Sequence, residues 1–251
     1  MCKMNPLFSI ITITFNAANE LPATLESVKC QTVTDYEHLI IDGASTDDTV
    51  EVAKSARIAS MRIVSEPDKG LYDAMNKGMR LATGKYLIFL NAGDAFHSAT
   101  SLQEIKHSID LYGFPDVVYG QTQIVNARRE FVSMRHLTAP EHLSFRSFRK
   151  GMLVCHQAFV VSRAIAEPYD LSYRFSADYE WCLRCLKKMD VAAYTGTILI
   201  DYLADGLTDK NHKASLKERF DIMCRYYGTW HTVVRHIGFF MRNLRRKYLS
   251  R

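Results

Sequence analysis

Three carboxylates, Asp42, Asp73 and Asp94, stand where short apolar runs end or in the helical segment leaving one. Leu39-Ile40-Ile41 ends in Asp42-Gly43-Ala44-Ser45-Thr46-Asp47-Asp48-Thr49, and Tyr86-Leu87-Ile88-Phe89-Leu90 ends in Asn91-Ala92-Gly93-Asp94. Between them, Glu66-Pro67-Asp68-Lys69-Gly70-Leu71-Tyr72-Asp73 runs from a strand-like stretch into a helical one. In an open α/β sheet, nucleotides bind in the crevice outside the carboxyl ends of the strands. A carboxylate placed there accepts hydrogen bonds from a base N–H or a ribose hydroxyl. Lys69-Gly70 brings a cation, free N–H groups and the positive end of a helix dipole to one place, a combination that attracts phosphate. Oxygen donors at Asn91 and Asp94, completed by two phosphates, suit the hard coordination of Mg2+ or Mn2+. The expected site therefore takes a nucleotide diphosphate and a divalent metal. Plainer roles stand beside these. Asp42, Asp47 and Asp48 suit a turn and a helix cap, and Asn91-Ala92-Gly93-Asp94 suits a turn. For Asp47 and Asp48 the plain role is the expected one, with Ser45 or Thr46 as the helix N-cap.

These residues need a parallel sheet to bring them together. As far as residue 120, short β-rich runs alternate with helical patterns, the signature of βαβ units. Strands are expected at 7–14, 36–42, 60–64, 85–91 and 116–119, and helices near 20–31, 47–56, 70–82 and 99–111. In the third helix Leu71, Ala74, Met75, Gly78 and Ala82 share one face, leaving Asp73, Asn76 and Lys77 on another. After residue 120, Gln121 to Asn126 and Glu130 to Met134 read as a hairpin. Residues 135–152, with His136, His142, Arg146, Arg149 and Lys150, have no period and read as a mobile binding loop. A strand at 157–161, a helix from about Ala177, a strand region at 191–203 and a long helical tail follow.

A chain of 251 residues with 47% hydrophobic and 24% charged residues has room for one large globular domain or a domain with an appendage. The apolar start, Phe8 to Phe15, is rich in β-branched residues with no small-residue cleavage site after it, so a buried first strand is expected rather than a secretory signal. No run approaches the length of a membrane-spanning helix. Six scattered cysteines favour reduced thiols and a cytoplasmic setting, and Cys182 and Cys185 are expected to be core thiols in a helix. The net charge of +5 conceals an asymmetry. Residues 210–251 hold 11 Lys and Arg against 2 Asp and Glu, a balance of +9, while the rest of the chain is net acidic. No nucleic-acid partner is expected.

The order and spacing of five motifs resemble the family 2 glycosyltransferases of GT-A fold. They are Ile11-Thr12-Ile13-Thr14-Phe15-Asn16, Ile41 to Thr49, Glu66 to Gly78, Phe89-Leu90-Asn91-Ala92-Gly93-Asp94, and Ser176-Ala177-Asp178-Tyr179-Glu180-Trp181-Cys182-Leu183-Arg184. The resemblance covers roughly residues 7–208. It implies a Rossmann-like mixed α/β sheet flanked by helices over 1–208, with 1–120 as the nucleotide-sugar half, 121–208 as the acceptor half, and 209–251 as a basic helical extension. It implies that Thr14, Asn16 and Asp42 contact the nucleoside, and that Asp68, Lys69, Gly70, Asp73 and Asn91 border it and the diphosphate. Asp94 would bind Mn2+ or Mg2+, and Asp178 would be the catalytic base. His156, Gln157 and Thr208 fall in regions that in relatives approach the acceptor and the diphosphate. Many relatives carry Asp at the positions of Asn91 and Gly93, so this acidic motif keeps one carboxylate, and an acidic pair before the base is here Ala177-Asp178.

The implied reaction is transfer of a sugar from a nucleotide-diphospho-sugar, UDP being the family's commonest nucleotide, to a hydroxyl of a glycan or lipid-linked acceptor with inversion, in cell-surface polysaccharide biosynthesis. One carboxylate suffices for such a single displacement. A nicotinamide-binding enzyme would need Gly-x-Gly-x-x-Gly after the first strand, where Asn16-Ala17-Ala18-Asn19 stands instead. A sugar nucleotidyltransferase would carry a glycine-rich basic loop there. A relative that binds nucleotide sugar or glycan without turnover is the alternative from another class, opposed by the presence of both Asp94 and Asp178. In the tail, Trp230, Val233, Val234, Ile237, Met241, Leu244 and Tyr248 fall on one helical face among arginines. That face suits either an interfacial helix on the anionic inner face of a cell membrane or a helix packed on the domain or in a homodimer.

Overall fold

The first strand, β1 (Phe8–Thr14), is buried along its whole length, since both of its faces are covered. This is why its sequence is nearly continuous in apolar and β-branched residues rather than alternating. In the computed structural model, which describes residues 5–204 and 212–237, β1 is the centre of the parallel part of the sheet. β2 (Tyr36–Asp42) and β3 (Met61–Ser65) lie to one side and β4 (Tyr86–Phe89) to the other. β5 (Ala95–Phe96), β6 (Val117–Val125), β7 (Phe131–Met134), β8 (Phe159–Ser162) and β9 (Ala192–Leu203) complete it. The order is β3, β2, β1, β4, β8, β6, β9, β5, with β7 added on β6. β8 runs antiparallel to both β4 and β6, so the sheet is mixed, as expected.

The connecting helices are α1 (Leu21–Lys29), α2 (Thr49–Ser55), α3 (Leu71–Leu81) and α4 (Ser101–Leu111), each within two residues of its expected bounds. α5 (Ala177–Lys188) starts at the expected residue and buries Cys182 and Cys185. α3 lies close to β1: a Cβ on Gly78 would stand 2.4 Å from Ile11 Cγ2. Ala74, Met75 and Ala82 are buried beside it as the spacing predicts. Asn76 departs from the expected polar face. It is 6% exposed because its side chain pairs with both backbone groups of Tyr169, accepting from N–H at 2.7 Å and donating to C=O at 3.0 Å.

Two further expectations are corrected. Residues 135–152 do not form a loose loop. Phe148, in a 3-10 turn (Phe145–Lys150), is fully buried with its ring 5.9 Å from that of Tyr179, and Tyr179 OH donates to Phe148 C=O. One aromatic anchor in an aperiodic stretch escapes a search for periodicity. The tail is also less separate than expected. α6 (His212–Tyr227) buries Ile222 and Met223 in the main core, and Glu218 accepts the N–H groups of Arg174 and Phe175 just before α5. β6 itself runs through residue 120, so the strand and the core are continuous across the expected division of the domain.

Candidate active site

The parallel strands end in a cluster built around Asp42, the last residue of β2 and 1% exposed. Its Oδ1 accepts from the Thr14 hydroxyl at 2.9 Å, and its Oδ2 accepts from Ser45 N–H at 2.9 Å and from the Ser65 hydroxyl at 2.6 Å. Burial alone would raise this carboxyl. The donors on Ser45, Ser65 and Thr14 outweigh burial and hold it below its ordinary value, so Asp42 is a fixed anion. Ser45 is thus occupied by Asp42 and is not the helix cap, while Asp47 accepts from Thr49 N–H at the start of α2. Asn16, with φ of 47°, accepts from Thr46 N–H at 2.9 Å and ties the turn after β1 to the turn after β2.

Phe15 was missed by the sequence reading. It is the residue after β1, and its ring is 65% exposed. A Cβ on Gly43 would meet Asp68 Oδ2 at 2.6 Å and the Phe15 ring at 3.4 Å, so only glycine leaves room for the Asp68 carboxylate beside that ring. No sequence signal marks it, since β1 is apolar on both faces and Phe15 reads as one more apolar strand position.

At the start of α3 the expected free amides are taken. Lys69 N–H donates to Asp73 Oδ2 at 3.0 Å and Gly70 N–H to Asp68 Oδ1 at 2.7 Å. Two carboxylates close to a helix N-terminus complement its dipole and fill the place an anion would take. Asp68, Lys69, Gly70 and Asp73 come together here with the amides directed at the chain's own acids rather than left free for a phosphate.

Beyond these turns a cavity of about 420 Å3 opens, lined among others by Tyr72, Asn91, Arg135, His156, Gln157, Asp178 and Arg219. Asp178 is half-buried at the second position of α5, where the helix N-terminus favours a carboxylate. Its Oδ1 accepts from Tyr179 N–H at 2.8 Å and from the Tyr72 hydroxyl at 3.2 Å. Tyr72 ties Asp178 to α3. Its phenol is raised well above the usual range, by burial first and then by the charge of Asp178, so it stays a donor. Its ring stacks on Tyr169 at 5.7 Å, and Tyr169 on Trp181 at 4.9 Å.

His156 lines the cavity, yet it is satisfied. Its Nε2 lies 2.7 Å from Tyr169 OH, its ring packs on Phe89 at 5.0 Å, and burial pushes its pKa down to about 4 against the pull of Asp178. It is a neutral wall residue. Gln157 donates at 2.7 Å to Asp94 Oδ2, while Leu203 N–H donates at 3.0 Å to Asp94 Oδ1. Burial raises Asp94 to about 7, against the opposing effects of Leu203, Gln157 and the nearby Arg129. Arg129, also missed, donates from Nη1 to Gly93 C=O at 2.6 Å. Its place at a hairpin tip gives no sequence signal.

Both Asp94 oxygens thus already accept N–H groups, each with lone-pair capacity left. Asn91 Oδ1 is buried with no hydrogen-bond partner among the described residues, and Asn91 lines the cavity. As a hard oxygen donor on the cavity wall, it suits a cation whose remaining ligands come from a diphosphate. No group of three or more His, Cys, Asp or Glu that could hold a metal occurs among the described residues, so the chain alone does not complete such a site. Thr208 lies outside the described residues.

The model of "Glycosyl transferase family 2" matches residues 9–168, more than half of the chain. The chain belongs to glycosyl transferase family 2. A "PGL/p-HBAD biosynthesis glycosyltransferase" of Mycobacterium bovis is 33% identical over 217 residues, covering 82% of each protein. An Escherichia coli "UDP-Glc:alpha-D-GlcNAc-diphosphoundecaprenol beta-1,3-glucosyltransferase WfgD" is 25% identical over 220 residues, 86% of this chain and 85% of the relative. Staphylococcus aureus TarS 1–349, solved in complex with UDP-GlcNAc, superposes with a TM-score of 0.72 at 18% identity over 89% of this chain and 65% of that 1–349 chain. That match establishes the GT-A fold, with the curled mixed sheet and C-terminal helices described above. The family 2 chain is a glycosyltransferase.

Proposed function

We propose that this glycosyltransferase moves a hexosyl or N-acetylhexosaminyl group from a UDP-sugar to a hydroxyl of a glycan or lipid-linked acceptor, with inversion, in cell-surface polysaccharide biosynthesis. The observation that carries the reading is Asp178, a carboxylate on the wall of the large cavity whose hydrogen bonds among the described residues both fall on Oδ1. Oδ2 is then the oxygen that takes a proton. The name of the E. coli relative, with a UDP-sugar donor and a diphosphoundecaprenol-linked acceptor, supports the donor and acceptor classes.

In this reading the base of the nucleotide stacks on Phe15 and the nucleoside is bounded by Thr14, Asn16, Asp42 and Asp68. The diphosphate runs past Lys69, Gly70, Asp73 and Asn91, and the sugar enters the cavity beside His156 and Gln157. The acceptor hydroxyl attacks the anomeric carbon from the face opposite the diphosphate. Asp178 takes its proton as the new C–O bond forms, and the bond to the phosphate oxygen breaks to release the nucleoside diphosphate. Arg135 and Arg219 on the same cavity wall oppose the charge left on the departing group. Asn91 and Asp94 would hold a divalent ion, Mn2+ or Mg2+, together with the diphosphate. When bound, such an ion supplies further charge neutralisation on the leaving group. The acceptor would be presented at the cytoplasmic face of the cell membrane. No helix among the described residues is long and apolar enough to cross a membrane, so attachment would be peripheral.

The test is Asp178→Asn. Transfer and donor hydrolysis are lost while calorimetric affinity for UDP stays within about twofold, because the base acts on the acceptor and not on the nucleotide. Parent-like turnover in the variant would remove Asp178 from the mechanism.

A further inference from the structure

Residues 229–237 form the last described helix, and its apolar face does not pack on the domain. Thr232 is 1% exposed, and the His236 ring lies 5.0 Å from that of Phe220, so the side carrying residues 232 and 236 faces the protein. Trp230, Val234 and Ile237 are instead 76%, 50% and 58% exposed. With about 100° between successive residues, these three share one arc on the side away from 232 and 236, and His231 and Arg235 flank it. On that flank His231, Arg235 and Arg149 line a small cleft together with Met223, Tyr227 and Thr232. The Arg149 guanidinium sits over the Tyr227 ring at 5.2 Å, and its Nε is buried without an acceptor.

We propose that this face docks on an anionic lipid bilayer, with Trp230, Val234 and Ile237 at the headgroup–acyl boundary and the Arg149–Arg235 cleft receiving a lipid phosphate. This deepens the membrane-presented acceptor of the preceding reading and rests on it for its biological purpose. Charge selects the occupant. Arg149 and Arg235 line the cleft beside this face, so a second copy joined through the same surface would bring like charge against like, whereas an anionic surface is attracted. An exposed tryptophan with aliphatic neighbours and a basic flank is the pattern of a helix lying in the interface plane.

The experiment is sedimentation of the full chain with phosphatidylcholine vesicles, with and without phosphatidylglycerol. The parent binds the anionic vesicles at least about tenfold better than the neutral ones, and high salt abolishes the difference. Trp230→Ser with Val234→Ser, and separately Arg235→Glu, each lower anionic-vesicle binding about tenfold while melting temperature and UDP affinity stay at parent values. Equal or absent binding to the two vesicle types would overturn the proposal. So would a dimer in light scattering that Trp230→Ser dissociates. Absence of UDP binding in the parent would instead sink the donor reading, and the vesicle result would stand apart from it.

Discussion

Asp178 depends on a neighbour for its orientation. The Tyr72 hydroxyl bonds the same oxygen as Tyr179 N–H and is itself held flat against Tyr169, so the carboxylate has one face fixed and one available. Tyr72→Phe keeps the ring and removes one bond that favours the ionised carboxylate. Turnover is expected to fall about tenfold and UDP affinity to stay unchanged. A purely structural tyrosine would lower stability and leave the turnover of the folded protein at the parent value. Sequence alone could nominate Asp178, Asp42 and Asp94, because each occupies a recognisable place in a motif. It could not say that Asp42 is already saturated by Thr14, Ser45 and Ser65, nor that Asp94 is held from behind by Gln157 and Leu203. Apart from Ser45, three residues on from Asp42, those partners are distant along the chain, and only the folded sheet brings them within reach.

At the scale of elements, α3 has the most demanding position. It carries Tyr72 toward the cavity and Asn76 into the core, and it approaches β1 through Gly78. Gly78→Ala would press a methyl against Ile11, and overpacking of this kind costs about 1–3 kcal/mol. Thermal unfolding is expected to show that loss, together with weaker UDP binding as the helix shifts from β1. A variant as stable as the parent would mean that Ile11 swings aside at no cost. The parallel strands and the four helices between them were legible because each buries a periodic face. The wall made by residues 135–152 was not, since its place is fixed by single anchors such as Phe148 and by backbone bonds to Tyr119, Gln121 and Tyr227. The core role of α6 was hidden for a related reason. Ile222 and Met223 are too few apolar residues to stand out in a basic stretch.

At the scale of the whole molecule, two histidines among the described residues are buried and must stay neutral. His38 is fully buried between β1 and β3, with Nε2 3.0 Å from the Thr12 hydroxyl and Nδ1 without a partner, and burial pushes its pKa down to about 3. A histidine whose folded pKa lies below its unfolded value favours the fold fully above the unfolded value, near 6.5. That contribution is lost as pH falls from there toward 3. Between pH 7 and pH 5 the loss is about 2 kcal/mol for this one group. The parent should therefore melt at lower temperature at pH 5 than at pH 7, and His38→Leu should reduce the difference. Parallel melting curves for the two proteins would assign the acid sensitivity elsewhere. His156 contributes in the same direction, starting from a pKa of about 4.

The proposed function joins a nucleotide site at the ends of β1, β2 and β3 to a cavity in which Asp178 is the base, and a single displacement driven by that base predicts inversion. Proton NMR of the sugar first released when the protein turns over a panel of UDP-α-sugars, read before mutarotation, tests it most directly. The β-anomer should appear first and should disappear with Asp178→Asn. First release of the α-anomer, or release that survives in the variant, would contradict a single displacement driven by Asp178.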